Sequence, residues 1–348
     1  MPAIKTAILS FGMSGRVFHA PFIASNPGFE LVGIWERSQS ASLEFYPTIK
    51  IYRSLEEILA DESIQLVIVN TPTNTHYDFT KKVLLSGKHA VVEKAFTTSV
   101  SEAIELNEIA IEKKLKLSVF QNRRWDSDFK TVKKIIAEGW IGNVVEAEIH
   151  FDRFKETLSP KLHKEIAGPG AGVLYDLGPH LIDQALTLFG MPDAVYAELR
   201  TMRPLSVVDD YFELLLSYSD KVVRLKAGYQ VKEPIPSYVI HGNKGSFLKS
   251  RADIQEAALV ANQKPNSANW GKEPDEEEGL LHTEKDGVEI RKKIPTELGN
   301  YATYYALVEK AIRENTEMPV TGNDGINVMK IIEAAFLSSA NKKQISLN

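Results

Sequence analysis

The first 120 residues alternate short apolar runs with helix-like stretches, and this alternation constrains the fold more than any other feature of the sequence. The apolar runs lie at residues 4–11, 29–36, 66–71, 91–94 and 115–120. The three central runs are almost continuously apolar, which is typical of parallel strands covered on both faces. Helical spacing follows at 78–85 and 99–114, and the second of these opens on Ser99 and Glu102 in a capping-box pattern. Strand and helix in regular alternation predict β-α-β units and a doubly wound sheet.

After about residue 122 the sequence changes to runs that alternate apolar and polar residues with a period of two. These runs lie at 144–154, 195–202, 211–218, 222–229 and 238–241. Strands with one wet face predict an antiparallel sheet packed on helices, for which 129–138 and 324–340 have helical spacing. Residues 255–287 are polar and are predicted to be a long surface excursion, most simply a solvated loop. We therefore predict two domains, at 1–122 and 123–348.

Composition and charge exclude several classes of protein. The net charge is −5, so a nucleic-acid backbone is not an expected partner. The chain has no cysteine, which removes disulfides, thiolate zinc sites and cysteine nucleophiles, and we predict no metal site. No apolar run approaches the roughly 20 residues that span a bilayer. The predicted location is the cytoplasm, with no membrane partner.

A glycine-containing turn follows the first predicted strand directly. A dinucleotide fingerprint has glycines at the first, third and sixth positions of a strand-turn-helix, and here Ser10, Gly12 and Gly15 occupy those positions. Gly12 would let the backbone approach a pyrophosphate, and Gly15 would allow the helix to pack closely on the strand. We predict that Gly12, Met13, Ser14 and Gly15 bind a dinucleotide. A plain tight turn is the alternative.

The second predicted strand ends in two conflicting signals about the cofactor. Glu36 lies where an acid would bind the ribose 2′-hydroxyl of NAD. Arg37 and Ser38 follow at once, and they suit the 2′-phosphate of NADP. Charges that point into water at a strand end would explain both signals. The predicted cofactor is a nicotinamide dinucleotide, with NADP(H) favoured and NAD(H) left open.

Polar residues also follow a later strand, at the edge where ligands bind in open α/β sheets. Thr71 and Pro72 end this strand, since proline cannot continue it. Asn74 and His76 follow as further candidate cofactor contacts, and Thr75 could cap the next helix. His76 is equally well explained as a first-turn helix residue.

The sequence VVEKAF ends another apolar strand on a carboxylate and an amine, Glu93 and Lys94. A lysine beside a cationic nicotinamide and apolar walls should have a lowered pKa, and it could then transfer protons near neutral pH. A lysine that simply meets water at a strand end is the alternative. Glu93 is interpreted either as the counter-ion of Lys94 or as a cofactor contact.

A glycine-rich turn then leads into a helical pattern that carries an acid and a histidine. Asp176 and His180 are four residues apart, so they would share a helix face. Pro179 is tolerated only in the first turn, which places the helix start near Asp176. A carboxylate that orients an imidazole would let His180 take the proton of a substrate hydroxyl. Alternatively, Asp176 is an N-cap and His180 a surface histidine.

Taken together, these residues resemble the Gfo/Idh/MocA oxidoreductases over essentially the whole chain. The resemblance rests on the glycine turn and on TPTNTH at 71–76, GKHAVVEKAF at 87–96, QNRRWD at 121–126, GVLYDLGPHLIDQ at 172–184 and PVTGNDGINVMKIIEAA at 319–335. Within the family the chain is most similar to the NADP-dependent scyllo-inositol dehydrogenases. Those also carry RVFHAP after the turn and a late WG, here Trp270 and Gly271.

The resemblance implies an α/β fold with an N-terminal Rossmann domain, a doubly wound parallel sheet, followed by an α+β domain. The second domain would have an open, mostly antiparallel sheet, and the protein would assemble into a homodimer or homotetramer through this sheet. The resemblance further implies that Lys94 contacts the nicotinamide ribose and the substrate. His180 would accept the proton with Asp176 as its partner, and Arg123 and Trp125 would line the substrate pocket.

Two residues depart from the family pattern, and neither removes a reactive group. Ala95 replaces the usual proline after the lysine, and Ser10 replaces the first glycine. The expected activity is reversible hydride transfer between a nicotinamide dinucleotide and a carbinol carbon of a cyclitol, sugar or related polyol, with a scyllo-inositol-like substrate favoured. The competing class is a non-catalytic dinucleotide-dependent sensor or regulator on the same fold. A third hypothesis is a family enzyme acting on a non-sugar carbonyl or imine.

Overall fold

The structure is a computed structural model that describes residues 2–159, 164–265 and 267–347. The chain forms two compact units, each assembled from three segments. The first unit contains Met1–Asn122, Gln255–Trp270 and Asn300–Ile326, and the second contains Arg123–Ile254, Gly271–Gly299 and Asn327–Asn348. The predicted domains are continuous in sequence, whereas these units are not, and the predicted boundary near residue 122 stays a prediction.

The first unit is built on a six-stranded sheet in which all paired strands run parallel. Its strands are β1 Ile4–Ile8, β2 Phe29–Trp35, β3 Lys50–Tyr52, β4 Leu66–Val69, β5 His89–Val92 and β6 Leu117–Val119. Their order across the sheet is β3-β2-β1-β4-β5-β6. The order reverses between β1 and β4, which makes their carboxyl ends the switch point of a doubly wound fold. The predicted Rossmann architecture is confirmed.

Burial explains why the central strands could be read from the sequence. All four residues of β4 are buried, and Ala90, Val91 and Val92 of β5 are fully so. Helices cover both faces of such strands, so no polar alternation is needed. Strand β3 was not predicted, because three residues carry no readable period.

Four helices of the first unit follow its strands as the alternation predicts. They are α1 Ala20–Ser25, preceded by a π-helical turn at Gly15–His19, α2 Leu55–Ala60, α3 His76–Leu85 and α4 Val100–Glu112. At the start of α4 the Glu102 N–H donates to the Ser99 side chain over 3.3 Å, so Ser99 is the predicted N-cap. The Glu102 carboxylate accepts from the N–H and hydroxyl of Thr98, at 2.9 and 2.8 Å.

Replacing Ser99 with alanine is expected to lower the free energy of unfolding by about 1 kcal/mol, because one N–H of the first turn of α4 loses its partner. Urea denaturation of the purified protein measures this change. Glu108 is exposed within the same helix, and Glu108→Ala serves as the control, with an expected change within about 0.5 kcal/mol. Equal stability of the two variants would contradict the assigned cap.

The second unit contains a nine-stranded sheet that is antiparallel except for one pair. Its strands are β7 Val144–Asp152, β8 Ala194–Arg200, β9 Tyr211–Ser217, β10 Val222–Gly228, β11 Tyr238–Gly242, β12 Gly245–Lys249, β13 Gly279–Lys285, β14 Val288–Ile294 and β15 Ile345–Ser346. The order is β14-β13-β12-β11-β7-β10-β9-β8-β15, with β7 and β10 parallel. The predicted mostly antiparallel sheet is therefore confirmed.

One face of this sheet forms the core of the second unit. The side chains of Leu214, Leu225 and Ile149 are fully buried, and in β9 and β10 the neighbours of Leu214 and Leu225 are half-buried in alternation with them. The period of two seen in the sequence is the period of this burial. The helices of this part of the chain are α5 Ser127–Ala137, α6 Val173–Asp176 and α7 Gly178–Phe189.

The polar segment 255–287 is not the long surface loop that its composition predicts. It contains α8 Gln255–Val260 and the whole of β13. Gln255 is fully buried, and the Trp270 indole N–H donates to its side-chain oxygen over 3.1 Å. Composition failed here because buried polar groups that pair with one another look the same in a sequence as solvated ones.

Two further helices complete the described chain, α9 Ala302–Glu314 and α10 Gly322–Asn341. The second of them matches the helix predicted at 324–340. Within the described residues, no helix is both long enough and apolar enough to cross a bilayer. The cytoplasmic location stays a prediction from the sequence.

Candidate functional site

The glycine turn lies at the carboxyl end of β1, and packing explains one of its two glycines. A Cβ added to Gly15 would lie 1.9 Å from the Ser10 carbonyl oxygen, so only glycine fits there. A Cβ added to Gly12 would meet only the Ser10 hydroxyl, at 3.5 Å, which is an ordinary contact. The fold itself does not need glycine at position 12. An open backbone at that point fits the close approach of a pyrophosphate.

Ser10, which replaces the first glycine of the fingerprint, stabilises the turn. Its hydroxyl oxygen accepts the N–H of Gly12 over 3.2 Å. The side-chain amide of Asn70, at the end of β4, donates to the Ser10 carbonyl over 2.8 Å. Asn70 therefore joins the ends of the two strands at the switch point. Asn70 was not among the predicted site residues, although its place after a buried strand was a usable signal.

Glu36 is occupied within its own loop. Its carboxylate accepts the backbone N–H groups of Ala41 and Ser42, at 2.9 and 3.0 Å, and also the Ser42 hydroxyl. The Arg53 guanidinium donates to the Glu36 carbonyl over 2.8 Å. The carboxylate thus holds together the loop that follows β2. Its predicted contact with a ribose stays a prediction, as do those of Arg37 and Ser38, which are both exposed.

The residues after β4 are held together by a buried histidine. One ring nitrogen of His76 lies 2.7 Å from the Ala95 carbonyl oxygen, and the other lies 2.8 Å from that of Thr71. Burial lowers the pKa of His76, against the two carbonyl contacts that favour its charged form. Its ring nitrogens therefore connect the ends of β4 and β5, so the structure gives His76 a structural task. Its predicted cofactor contact, with that of Asn74, stays a prediction.

Thr75 and Pro72 belong to a compact turn after β4. Thr75 stands at the N-cap position of α3, but its hydroxyl makes no capping bond. It donates instead to the Pro72 carbonyl and lies 2.7 Å from the Thr71 hydroxyl oxygen. The proposed side-chain cap at Thr75 is therefore wrong, because the hydroxyl is used within the turn.

Glu93 has more partners than the counter-ion role of the sequence analysis requires. Its Oε1 accepts the Ser14 hydroxyl over 2.6 Å and lies 3.0 Å from Nε2 of His19, while its Oε2 accepts the Lys94 N–H over 3.1 Å. Burial alone would raise the pKa of Glu93. The His19 and Ser14 hydrogen bonds and the nearby Lys94 charge outweigh burial and lower the pKa to about 2.

Lys94 is half-buried where the chain leaves β5, and the Lys94–Ala95 peptide bond is cis. This position follows a parallel strand on the ligand-binding edge of the sheet, as the sequence analysis expected. The lowered pKa expected for Lys94 stays a prediction.

In the second unit, Asp176 and His180 lie on two consecutive short helices. Asp176 ends α6, and α7 begins at Gly178 with Leu177 as its N-cap, so the predicted N-cap role of Asp176 is wrong. The reason is that residues 173–176 already form their own helical turn. His180 lies in the first turn of α7 and is only 5 % exposed. The alternative of a surface histidine is therefore also wrong.

The surroundings of Asp176 contain groups that the sequence analysis missed. The Lys164 ammonium donates to Asp176 Oδ1 over 2.6 Å, and the Tyr229 hydroxyl lies 3.5 Å from Oδ2. Burial, followed by the Asp176 charge, raises the pKa of Tyr229. Burial and then the charge of Arg153 lower the pKa of Lys155, against the opposing effect of Asp176. Asp176 is thus a carboxylate among cations and a protonated phenol.

Arg123 and Trp125 lie in a short 3₁₀ helix at Asn122–Trp125. The Arg123 guanidinium is 9 % exposed, donates to Asp126 Oδ2 over 3.2 Å and lies over the ring of Phe151. Burial raises the pKa of Asp126 well above its usual value, although the Arg123 charge opposes it. Arg123 is therefore fixed by its own unit. The predicted contacts of Arg123 and Trp125 with substrate stay predictions.

Asp183, one turn after His180, is buried and bound by an arginine. Its two carboxylate oxygens accept from Nε and Nη2 of Arg124, at 2.8 and 2.7 Å. Such a bidentate pair fixes both side chains. The Asp183 carboxylate is therefore held in place by Arg124.

Two Gfo/Idh/MocA family models match the chain. The model described as the NAD-binding Rossmann fold of an oxidoreductase family matches residues 4–121. The model described as the C-terminal alpha/beta domain of the oxidoreductase family matches residues 133–347.

Individual proteins resemble the chain over nearly its whole length. It is 40 % identical over 344 residues to the scyllo-inositol 2-dehydrogenase (NADP(+)) IolW of Bacillus subtilis, covering 99 % of this chain and 96 % of that protein. It is 26 % identical over 355 residues to the inositol 2-dehydrogenase of Rhizobium meliloti, covering 99 % of each. The crystal structure of an oxidoreductase from Bacillus cereus matches with a TM-score of 0.92 at 30 % identity, covering 99 % of each chain.

Proposed function

Because this chain belongs to the Gfo/Idh/MocA oxidoreductase family, we propose that it transfers a hydride reversibly between NADP(H) and a carbinol carbon of a cyclitol, sugar or related polyol. The chain is accordingly an NAD(P)-dependent dehydrogenase that acts on CH–OH groups. The favoured substrate class is a scyllo-inositol-like cyclitol. The support for that class is the printed activity of the Bacillus subtilis relative, at 40 % identity.

The observation that carries the proposal is the open glycine turn at the switch point of the parallel sheet. Packing requires glycine at position 15. At position 12 the fold has room for a side chain, and the residue is nevertheless glycine. Ligands of doubly wound sheets bind at this edge, beside the ends of β1 and β4. The ends of β1, β4 and β5 are tied together there by Asn70, His76 and Glu93.

The dinucleotide, when bound, supplies the hydride acceptor or donor, and the protein supplies position and charge. The proposal assigns the glycine turn to the pyrophosphate. It assigns Lys94, Asp176 and His180 to the substrate hydroxyl and its proton. His180 takes the proton during oxidation, and Asp176, held by Lys164 and Tyr229, favours the protonated imidazole by its charge. Arg123 and Trp125 are assigned to substrate positioning.

The proposed preference for NADP rests on the loop after β2. Both oxygens of the Glu36 carboxylate already accept hydrogen bonds within that loop, while Arg37 and Ser38 are exposed beside it. An arginine and a hydroxyl can bind the 2′-phosphate of NADP. NAD has no phosphate at this position.

Replacing Arg37 with alanine is expected to raise KM for NADP by about tenfold and to leave KM for NAD within about twofold, because only NADP loses a charge-assisted hydrogen bond. Initial rates with each cofactor at saturating substrate measure the two constants. NAD acts as the internal control, since a damaged fold would affect both cofactors. Equal changes in both KM values would contradict the assignment of Arg37.

The activity itself is tested by following the reduced-nicotinamide absorbance band with NADP or NAD against a panel of inositols and aldoses. Reduction of NADP by at least one cyclitol or sugar is the expected result. Reduction of NAD alone would overturn the NADP preference. Tight dinucleotide binding without turnover of any polyol, carbonyl or imine would favour the non-catalytic regulator instead.

The proposal includes assembly into a homodimer or homotetramer through the nine-stranded sheet. Its support is the family resemblance. Multi-angle light scattering of the purified protein measures the mass in solution, and a monomer at all concentrations would contradict this part.

A further inference from the structure

Three ionisable side chains, Tyr305, His19 and Glu93, form a hydrogen-bonded row next to the end of β5. The proposed reaction does not use Tyr305 or His19. The Tyr305 hydroxyl oxygen is 2.5 Å from Nδ1 of His19, and Nε2 of His19 is 3.0 Å from Oε1 of Glu93. Tyr305 and His19 are 1 % and 0 % exposed. All three residues belong to the first unit. Glu93 is half-buried. Solvent therefore cannot replace a partner that Tyr305 or His19 loses.

The ionised Glu93 carboxylate fixes the direction of one hydrogen bond in the row. Its pKa is lowered, so the carboxylate carries no proton and can only accept, and the Nε2–H of His19 donates to it over 3.0 Å. Burial, followed by the nearby Tyr304 and Glu93, raises the pKa of Tyr305 well above its usual value, so the phenol stays protonated. The Tyr305 hydroxyl forms a hydrogen bond with Nδ1, on the other side of the ring. Tyr305 thus positions the His19 ring, and the ring positions Glu93.

Glu93 in turn forms hydrogen bonds with two parts of the proposed cofactor site. Its Oε1 also accepts the hydroxyl of Ser14, a residue of the glycine turn, over 2.6 Å. Its Oε2 accepts the backbone N–H of Lys94 over 3.1 Å. The carboxylate is the link between the proposed pyrophosphate turn and the residue proposed to act on the substrate.

We propose that His19 and Tyr305 are positioning residues that hold the Glu93 carboxylate between Ser14 and Lys94, so that dinucleotide binding at the glycine turn and the placement of Lys94 depend on each other. This inference rests on the proposed function. It assigns a task to a histidine in the first turn after the fingerprint and to a tyrosine 286 positions further along the chain.

A purely structural role for the row makes a different prediction. Buried polar groups must be paired wherever they occur, so every such pair contributes to stability. Tyr304, which precedes Tyr305 on the same helix, provides the comparison, because its hydroxyl donates to the Ser118 hydroxyl over 2.9 Å. Tyr304 and Tyr305 are equally buried. Only Tyr305 is connected to Glu93 through His19, so only its loss should reach the cofactor site.

The test compares Tyr305→Phe with Tyr304→Phe in the full-length protein. Fluorescence titration measures the dissociation constant for NADP without turnover, initial rates give kcat, and thermal unfolding reports stability. Tyr305→Phe is expected to weaken NADP binding and to lower kcat by roughly threefold to tenfold each, the range of one buried hydrogen bond. Tyr304→Phe is expected to leave both within about twofold, even if its stability falls by the same amount.

A second pair of variants tests the proposed direction of the hydrogen bonds. His19→Gln keeps an amide N–H that can donate to Glu93, whereas His19→Leu has no donor. Gln is expected to recover most of the binding that Leu loses. In the His19→Leu protein, Ser14→Ala should weaken NADP binding less than it does in the wild type, since the link is already broken.

The outcomes separate this inference from the proposed function. If the wild-type protein binds neither NADP nor NAD, both fail. If the wild type binds NADP and Tyr305→Phe matches Tyr304→Phe in both the dissociation constant and kcat, only the positioning role is overturned. If His19→Leu does not fold, Tyr305→Phe alone decides the result.

Discussion

Replacing Lys94 with alanine is expected to reduce turnover by about 100-fold or more while the dissociation constant for NADP stays within a fewfold. The amine follows β5 at the ligand-binding edge of the sheet, and its backbone N–H is held by Glu93. Alanine keeps that backbone bond and removes the side chain beyond Cβ together with its amine. A group that acts on the substrate proton and hydroxyl contributes to the reaction much more than to cofactor binding.

Steady-state rates and fluorescence titration of the same preparation measure the two quantities for Lys94→Ala. Lys82→Ala is the matched control, because that lysine is about half exposed and forms a loose 3.7 Å ion pair with Glu56. Its turnover should equal that of the wild type. A Lys94→Ala enzyme that loses NADP binding in proportion to its turnover would make Lys94 a cofactor ligand only.

The second large effect is expected for His180→Ala, with turnover again reduced by about 100-fold or more and NADP binding kept. His180 lies in the first turn of α7 and is only 5 % exposed, so its backbone position is set by the helix. Alanine is a good helix former, so the helix should persist without the imidazole. The loss should therefore fall on proton transfer.

The pH dependence of kcat/KM gives an independent reading of His180. If its imidazole is the base, the limb of the profile that reports the base should disappear in His180→Ala. His282→Ala is the control, since that histidine is about half exposed and bonds only locally to Glu289 over 2.7 Å. Near-wild-type turnover in both Lys94→Ala and His180→Ala would remove the catalytic assignment altogether.

The elements predicted from the sequence are ones in which burial repeats along the chain. The buried strand β4 and the alternating strand β9 were both recognised, because continuous burial and one-sided burial leave different periods. Strands β3, β12, β13, β14 and β15 were not. In β14 every side chain is exposed or half-buried, so no apolar period marks it as a strand. Helix α9 was also missed, although its apolar spacing was a usable signal.

The candidate site also contains residues that the sequence predicted and residues that it did not. The glycine turn, Lys94 and His180 were predicted from motifs, because each prediction depends on a residue type at a short spacing. The partners of these residues were not identified. His19 belongs to the RVFHAP motif, but the motif does not show its partners, and Tyr305 lies in no quoted motif. The role of Glu93 remained open until its three hydrogen bonds were known.

The sequence alone determined which segments alternate, where the glycine turn lies, and which family the chain resembles. These properties depend on a few neighbouring residues, and local sterics and periodicity express them directly. Only the tertiary structure decided that Glu36 serves its own loop, that His76 joins two strand ends, and that Glu93 connects Ser14 with Lys94. Each of those roles is a hydrogen bond of a buried group, and the position of its partner depends on how the chain is packed.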